Sequence, residues 1–411
     1  MTRLTDRRAK REAAPRISSA RPKARYNASV RILISAGEAS GDLYGAGLIE
    51  AMRRQDPALE FFGAGGERMR AAGCDIVVDA KDLAVVGITE ILSRLPKILG
   101  LYRELIAAAD ERKPDLAVVI DSPAFNWRVA RQMHKRGIPV VYYVCPQFWA
   151  WRQGRVKLLR KYVKRALVIF PFEEKFYRDR GVDAKFVGHP LADLERSAIS
   201  REEYAAHYGL DAGKRWIAVM PGSRRKEVRM NLPVMLQAAD QLGDGYEYLM
   251  PVAPTLEREF LQGLIGERRI TLVAESLPAL SYARAGIIAS GTATVEAAMM
   301  ELPFVMVYRV TPLTYFLGKP RLKVAHYAMV NLIAGEEIVP ELVQRDFTAE
   351  KVVAKLQPLL ADGVPRTKML EGFAGVKESL RSKDARPAAD QATEAVLALL
   401  AAASGGGRVE L

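Results

Sequence analysis

Ala289-Ser290-Gly291-Thr292-Ala293-Thr294-Val295-Glu296 is the stretch on which the reading of this chain turns. The apolar run 285–289 stops abruptly at Ser-Gly-Thr, and a helix-forming run, 295–300, follows at once. The pattern predicts a buried strand, a tight glycine turn and the start of a helix. The first turn of such a helix presents free N–H groups and the positive end of the helix dipole, which attract phosphate. A carboxylate within that turn, Glu296, can accept hydrogen bonds from the two hydroxyls of a nucleotide ribose. The plainer alternative is a capped helix, with Thr292 or Thr294 as the cap and Glu296 satisfying the dipole. The turn alone leaves both open.

Outward from it, the chain repeats the same unit. Apolar runs at 216–220, 246–250, 270–273, 287–289 and 304–307 alternate with helical stretches. An earlier set lies at 30–35, 61–63, 116–120, 139–144, 166–170 and 184–187. Continuous apolar strands alternating with helices imply parallel sheets covered on both faces. The expected fold class is α/β, with two Rossmann-like domains facing a cleft. The expected boundaries are a disordered basic arm at 1–29, a first domain at 30–190, a hinge at 191–213 and a second domain at 214–345. Helices at 346–403 that return to the first domain and a flexible tail at 404–411 complete the chain.

Length and composition agree with two domains of ordinary size: 411 residues, 49% of them hydrophobic. Cys74 and Cys145 are the only cysteines, which argues against a disulfide scaffold and for a reducing compartment. The four histidines form no HxH or HExxH, so a zinc site is not expected. Net charge is +13, and residues 1–30 supply seven of it, with nine Lys or Arg against Asp6 and Glu12. That segment has no apolar h-region and is not a secretory signal. No apolar run reaches the ~18–20 residues that span a bilayer. Nucleic acid is the obvious partner for so basic a chain, but no helix-turn-helix, zinc-finger, RRM or KH signature occurs, so no specific nucleic acid is expected.

Chemistry-bearing residues cluster where strands end. Pro221-Gly222-Ser223-Arg224 follows the first strand of the second set, with small residues to admit a phosphate and a forked cation to bind it. Together with 290–294 it would grip a diphosphate at the carboxyl ends of one sheet. No Asp-x-Asp pair occurs to hold a divalent ion, so neither metal nor cofactor is expected. Asp121 ends an all-apolar strand before Ser122-Pro123 and is the best acid/base candidate, its pKa raised by partial burial. Glu38, in the loop 36–42 before a helix at 43–54, is a second carboxylate at the equivalent sheet edge. Asn331, an amide between apolar residues, needs a partner, either ligand or backbone. The first loop does not spell GxGxxG, so the dinucleotide fingerprint is absent. Three stretches (92–105, 152–165 and 309–324) mix basic with apolar residues and suit an anionic membrane surface or, singly, amphipathic core helices.

Six segments occur in an order that resembles the lipid-A-disaccharide synthase family: Gly37-Glu38-Ala39-Ser40-Gly41-Asp42, Val119-Ile120-Asp121-Ser122-Pro123-Ala124-Phe125-Asn126, Pro146-Gln147-Phe148-Trp149-Ala150-Trp151-Arg152, Gly188-His189-Pro190, Pro221-Gly222-Ser223-Arg224 and Ser290-Gly291-Thr292-Ala293-Thr294-Val295-Glu296. The resemblance covers about 30–400. It implies the two-Rossmann GT-B architecture and an inverting, metal-independent transfer from UDP-2,3-diacylglucosamine to 2,3-diacylglucosamine 1-phosphate. By resemblance, Asp121 is the general base and Glu38 and Ser40 lie in the first-domain active loop. Ser223, Arg224, Ser290, Gly291, Thr292 and Glu296 fall at the UDP site, and Asn331 is a further active-site amide. The implied location is cytoplasmic, on the inner face of the inner membrane of a Gram-negative bacterium, and a homodimer is compatible with it. Two other readings stay open: an isomerase like the UDP-N-acetylglucosamine 2-epimerases, which share the plan, and a non-catalytic nucleotide- or RNA-binding protein.

Overall fold

Two parallel sheets form the frame. In the first, strands β1 (Arg31–Ala36), β2 (Glu60–Gly65), β3 (Cys74–Asp79), β4 (Leu116–Ile120), β5 (Val140–Tyr143), β6 (Arg165–Val168) and β7 (Ala184–Phe186) lie in the order 3-2-1-4-5-6-7. In the second, β8 (Arg215–Met220), β9 (Tyr246–Pro251), β10 (Ile270–Val273), β11 (Ala285–Ala289), β12 (Phe304–Tyr308) and β13 (Glu341–Val343) follow the order 10-9-8-11-12-13. The computed structural model describes residues 30–83, 88–311, 315–316, 324–382 and 384–405. The basic arm 1–29, most of the stretch 309–324 and residues 406–411 of the expected tail lie outside the described residues.

Both sheets are wholly parallel, and their strand order switches at the centre, between β1 and β4 and between β8 and β11. Crevices open at such switch points, beyond the carboxyl ends of the strands. The loops after β1, β4, β8 and β11 carry Glu38, Asp121, Arg224 and Gly291. Strand β4, Leu-Ala-Val-Val-Ile, is buried along its whole length. Each such branched side chain contributes roughly 1.5–3 kcal/mol of burial free energy, which keeps its far end, and Asp121 with it, in place.

Several local expectations are corrected. The helix predicted at 43–54 spans Ala39–Gln55, so Ser40, Gly41 and Asp42 form its first turn rather than a loop. Gly41 permits this, because a Cβ there would sit 3.2 Å from Ala36 Cβ. Asp42 caps a neighbouring helix, accepting from the N–H groups of Gly66, Arg68 and Met69 at 2.7, 3.1 and 3.1 Å. Strands β3 and β13 were not legible: both are edge strands, interrupted by acidic residues or only three residues long. The polar stretch 191–213 holds a capped helix, Arg201–Tyr208, with a Ser200/Glu203 capping box and a left-handed Gly209 at its end. The last helix runs Ala388–Gly405 and so includes 404–405.

That helix packs on the helix Ala39–Gln55 of the first sheet, where Arg54 and Asp390 pair at 2.6 Å. The chain therefore passes twice between the sheets, and the two passages touch. His189 N–H donates to Leu380 O at 2.8 Å, and Gly188, with φ +83°, lies against Ser382.

Candidate active site

The loop after β1 and the loop after β4 lie against each other. A Cβ on Gly37 would fall 2.4 Å from Ser122 Oγ and 2.9 Å from Ser122 Cβ, so only glycine admits this approach. The next residue, Glu38, is the exposed N-cap of the first helix, and its charge acts directly on Asp121.

Asp121 and Ser122 both adopt left-handed backbone, with φ of +46° and +45°. Each costs a non-glycine residue about 1–2 kcal/mol, so something must hold them. Asn126 does. Fully buried, it donates through Nδ2 to the carbonyls of Asp121 (2.9 Å), Ile120 (2.8 Å) and Ser35 (3.1 Å), while its Oδ1 accepts from Ser35 Oγ at 2.7 Å. Tyr142 Oη adds a 2.8 Å bond to the Asp121 carbonyl. Burial raises the pKa of the Asp121 carboxyl to about 6, reinforced by Glu38 and opposed by a hydrogen bond from the Ser122 backbone and by Arg224. A carboxylate so poised is half ionised just below neutrality, which suits a general base.

Arg224 comes from the other sheet. It is the N-cap of the helix Arg225–Leu242, pairs with Glu227 at 3.1 Å, and its charge reaches both Asp121 and Glu38. Gly222, with φ +122°, lets the loop fold over Glu227, whose Oε2 would be 2.8 Å from a Cβ there. Ser223 is exposed, and its carbonyl accepts from Thr255 Oγ1. A second link between the halves is Tyr44, buried on the helix Ala39–Gln55. Its pKa is raised by burial, then by Glu296, then by Asp121. Glu296 is itself raised by burial. Glu38, Asp121 and Arg224 thus act on one another's charge, Tyr44 feels both Asp121 and Glu296, and Ser40 is partly buried in the helical turn after Glu38.

The Ser290-Gly291-Thr292 turn has its glycine at φ +152°, with nothing within 4 Å of a Cβ. Neither threonine caps the helix Ala293–Met299 through its side chain: Thr292 makes no such bond, and Thr294 Oγ1 donates back to Gly291 O at 2.7 Å. The Thr294 amide also donates to Gly291 O, at 3.2 Å, which removes it from the donors expected at 291–294. Ser290 Oγ donates to Tyr327 O at 2.8 Å.

Asn331 is a correction. Fully buried, it donates to Val339 O (2.9 Å) and Glu341 Oε1 (2.8 Å) and accepts from the amides of Ile338 (2.9 Å) and Val339 (3.0 Å). Both N–H groups and the oxygen are committed within the protein, so backbone and the Glu341 carboxylate are its partners. Glu341 in turn accepts from the amides of Tyr327 and Ala328, and Tyr327 holds Ser290. Asn331 therefore acts on the glycine turn at two removes.

Tyr44, Asn126 and Glu341 were missed from the sequence. Asn126 was within reach, since it stands five residues after Asp121 on the next helix. The Trp-Ala-Trp-Arg segment is anchored from behind: Trp149 Nε1 donates at 2.8 Å to Glu173, a buried carboxylate whose pKa burial raises to about 7. His189 is buried and neutral, its pKa lowered to about 3 by burial. Among the described residues, no group of three or more His, Cys, Asp or Glu is placed to hold a metal ion.

Comparison with known proteins identifies the family. A sequence profile of the family described as lipid-A-disaccharide synthetase matches residues 32–396. The chain belongs to this family. It is 52% identical over 376 residues to the lipid-A-disaccharide synthase of Koribacter versatilis, covering 90% of this chain and 98% of that one. With the enzyme of the same name from Myxococcus xanthus it shares 42% identity, covering 90% and 97%. Members of the lipid-A-disaccharide synthase family are glycosyltransferases, and the chain has a role in lipid A biosynthesis. Solved structures share the fold alone. The calicheamicin glycosyltransferase CalG4 matches with a TM-score of 0.58 at 16% identity, covering 93% of this chain and all (100%) of that one. Acinetobacter baumannii MurG matches with a TM-score of 0.52 at 15% identity, covering 91% and 99%. A UDP-N-acetylglucosamine 2-epimerase from Neisseria meningitidis matches at 0.56 and 12%, covering 85% and 99%. Likeness at that level carries no support for the isomerase reading, and family membership favours the transferase over it and over a non-catalytic binder.

Proposed function

We propose that this family member joins UDP-2,3-diacylglucosamine to 2,3-diacylglucosamine 1-phosphate, releasing UDP and a β-1,6-linked disaccharide 1-phosphate. Asp121 takes the proton from the acceptor O6. That oxygen bonds to the anomeric carbon while the bond to UDP breaks on the opposite face, and UDP leaves with the electron pair. Arg224 and the amides around Gly291 meet the charge developing on the diphosphate, and Glu296 receives the ribose hydroxyls. Glu38 raises the proton affinity of Asp121, and Ser40 and Ser223 border the substrate. The observation that carries this reading is the shared electrostatic neighbourhood of Asp121, on one sheet, and Arg224, on the other.

Turnover with both acylated glucosamines, with and without EDTA, tests it. Disaccharide formation unaffected by chelation is expected. Activity only after added metal would overturn the arginine-for-cation role, and conversion of UDP-N-acetylglucosamine alone would favour the isomerase.

The reading extends to an anionic membrane surface, where both acylated substrates reside. Leu99, Trp151 and Phe316 are exposed at 41%, 44% and 75%, and each lies in or beside one of the three basic stretches. Arg152 stacks on Trp151 at 4.3 Å, keeping cation and apolar ring together. Co-flotation with vesicles of anionic lipid, lost on Trp151→Ala with Phe316→Ala, is the expected result. Among the described residues, no helix is long and apolar enough to cross a membrane.

A further inference from the structure

The opposite edge of the second sheet carries a second concentration of charge. There, at the amino ends of β8 and β11, a cavity of about 350 Å³ is lined by Arg201, Lys214, Arg215, Arg284 and Arg366, with no carboxylate among its lining residues. The volume falls near the lower end of the ~300–1,000 Å³ typical of small-molecule sites.

The fold, rather than sequence proximity, assembles it. Arg215 opens β8 and Arg284 immediately precedes β11, its paired neighbour. Arg201 begins the capped helix Arg201–Tyr208, and Arg366 lies in the first turn of the helix Val364–Leu380. Each guanidinium is held by backbone oxygens. Arg215 Nη1 and Arg284 Nε both donate to Leu360 O, at 3.2 and 3.0 Å. Arg366 Nη1 donates to Arg284 O (2.7 Å) and Leu359 O (3.0 Å). Arg201 Nη2 donates to Lys214 O at 2.7 Å and lies 4.5 Å over the buried Trp216 ring. These bonds orient the forks and use only part of the five donors each carries.

Compensation is sparse. Asp362 pairs with Arg284 but is 89% exposed, and Glu247 stands 3.8 Å from Lys214. Arg201 Nε is buried with no hydrogen-bond partner. Burial, then the Arg284 charge, lowers the pKa of Arg366 against the opposing pull of Asp362, a carboxylate that also feels the Arg215 charge. Like charges gathered this closely repel, and an anion among them would relieve the repulsion.

We propose that this cavity binds a small, free, multivalent phosphate, such as a diphosphate or a phosphomonoester, at a site separate from the sugar-transfer crevice. Planar guanidinium forks match phosphate oxygens two at a time, and a single carboxylate would leave most of the charge unmet. Because the lining joins the start of the helix Arg201–Tyr208 to the first turn of the helix Val364–Leu380, the ligand would brace the second domain.

The test is calorimetric titration of the full chain with pyrophosphate, with UDP present in saturation to fill the other crevice and sodium chloride matching ionic strength. Saturable binding is expected. An Arg215→Gln/Arg366→Gln variant should bind at least about tenfold more weakly, equivalent to ~1.4 kcal/mol. Arg224→Ala should bind as wild type does. Lys214→Gln, which removes no guanidinium, guards against misfolding: it should weaken binding while leaving sugar transfer unchanged. Heat that does not saturate by about 10 mM, weaker than a Kd worth ~3 kcal/mol, would overturn the site. So would equal binding by wild type and by folded Lys214→Gln, or loss of binding in Arg224→Ala.

Discussion

Replacing Asp121 with Asn separates stability from catalysis. Burial first, and Glu38 second, raise the carboxyl pKa from 3.8 to about 6 in the folded protein. The native state therefore holds this proton more tightly than the unfolded chain does. The associated stability is fully present below pH 3.8 and is lost as pH rises through about 6. The rise corresponds to about 3 kcal/mol against folding at pH 8. Asparagine is never ionised, so Asp121→Asn should be more stable than wild type at pH 8 by up to that amount. The gain should shrink towards zero near pH 4. Urea unfolding of both proteins across this range measures it. The other raised carboxyls, Glu173, Asp193 and Glu296, titrate in both and cancel in the difference. The same variant should lose about 10²–10⁴-fold in turnover while still binding UDP, because only the base is gone. Wild-type kcat/KM should fall on the acid side with a midpoint near the same pKa, about 6. A stability difference that does not change with pH, or full turnover in a folded Asp121→Asn, would refute the reasoning.

Three further outcomes follow from the same geometry. Gly37→Ala, whose Cβ would stand 2.4 Å from Ser122 Oγ, should cost about 1–3 kcal/mol and lower kcat by displacing Asp121; Gly100→Ala, with nothing within 4 Å, is the matched control and should leave kcat unchanged. Asn126→Ala removes the bonds that hold Asp121 in left-handed backbone, so chemical unfolding should show a loss of about 3 kcal/mol and kinetics a lower kcat with little change in KM. Trp149→Phe deletes a hydrogen bond that favours ionised Glu173, so its pKa should climb above the present value of about 7. The loss of stability, read by thermal unfolding, should be about 1–2 kcal/mol at pH 8 and smaller at pH 5, where Glu173 is protonated either way.

Much of the site was legible because its chemistry sits where strands stop. An apolar run that ends at Asp121, or at Ser290-Gly291, announces a sheet edge, and parallel sheets place their ligands there. Asn331 misled because an amide among apolar neighbours looks the same whether it faces a ligand or a carbonyl. Tyr44 was hidden for the opposite reason: an aromatic on a helix is usually core, and this one is also buried, yet it reaches both Asp121 and Glu296. Asn126 was quoted within its motif, but its role depends on left-handed backbone at Asp121 that no local pattern betrays.

Residue order by itself determined the α/β class, the two-sheet plan, the family and the four strand-end loops proposed to carry chemistry, because burial on both faces of a parallel strand leaves a continuous apolar signature. Tertiary structure alone decided which groups meet across the gap, which amides are already spent on the protein, and that five cations from 201 to 366 line one cavity. Charge coupling and hydrogen-bond commitment depend on distances between atoms far apart in the chain, and the packing of one sheet's loops against the other's sets those distances.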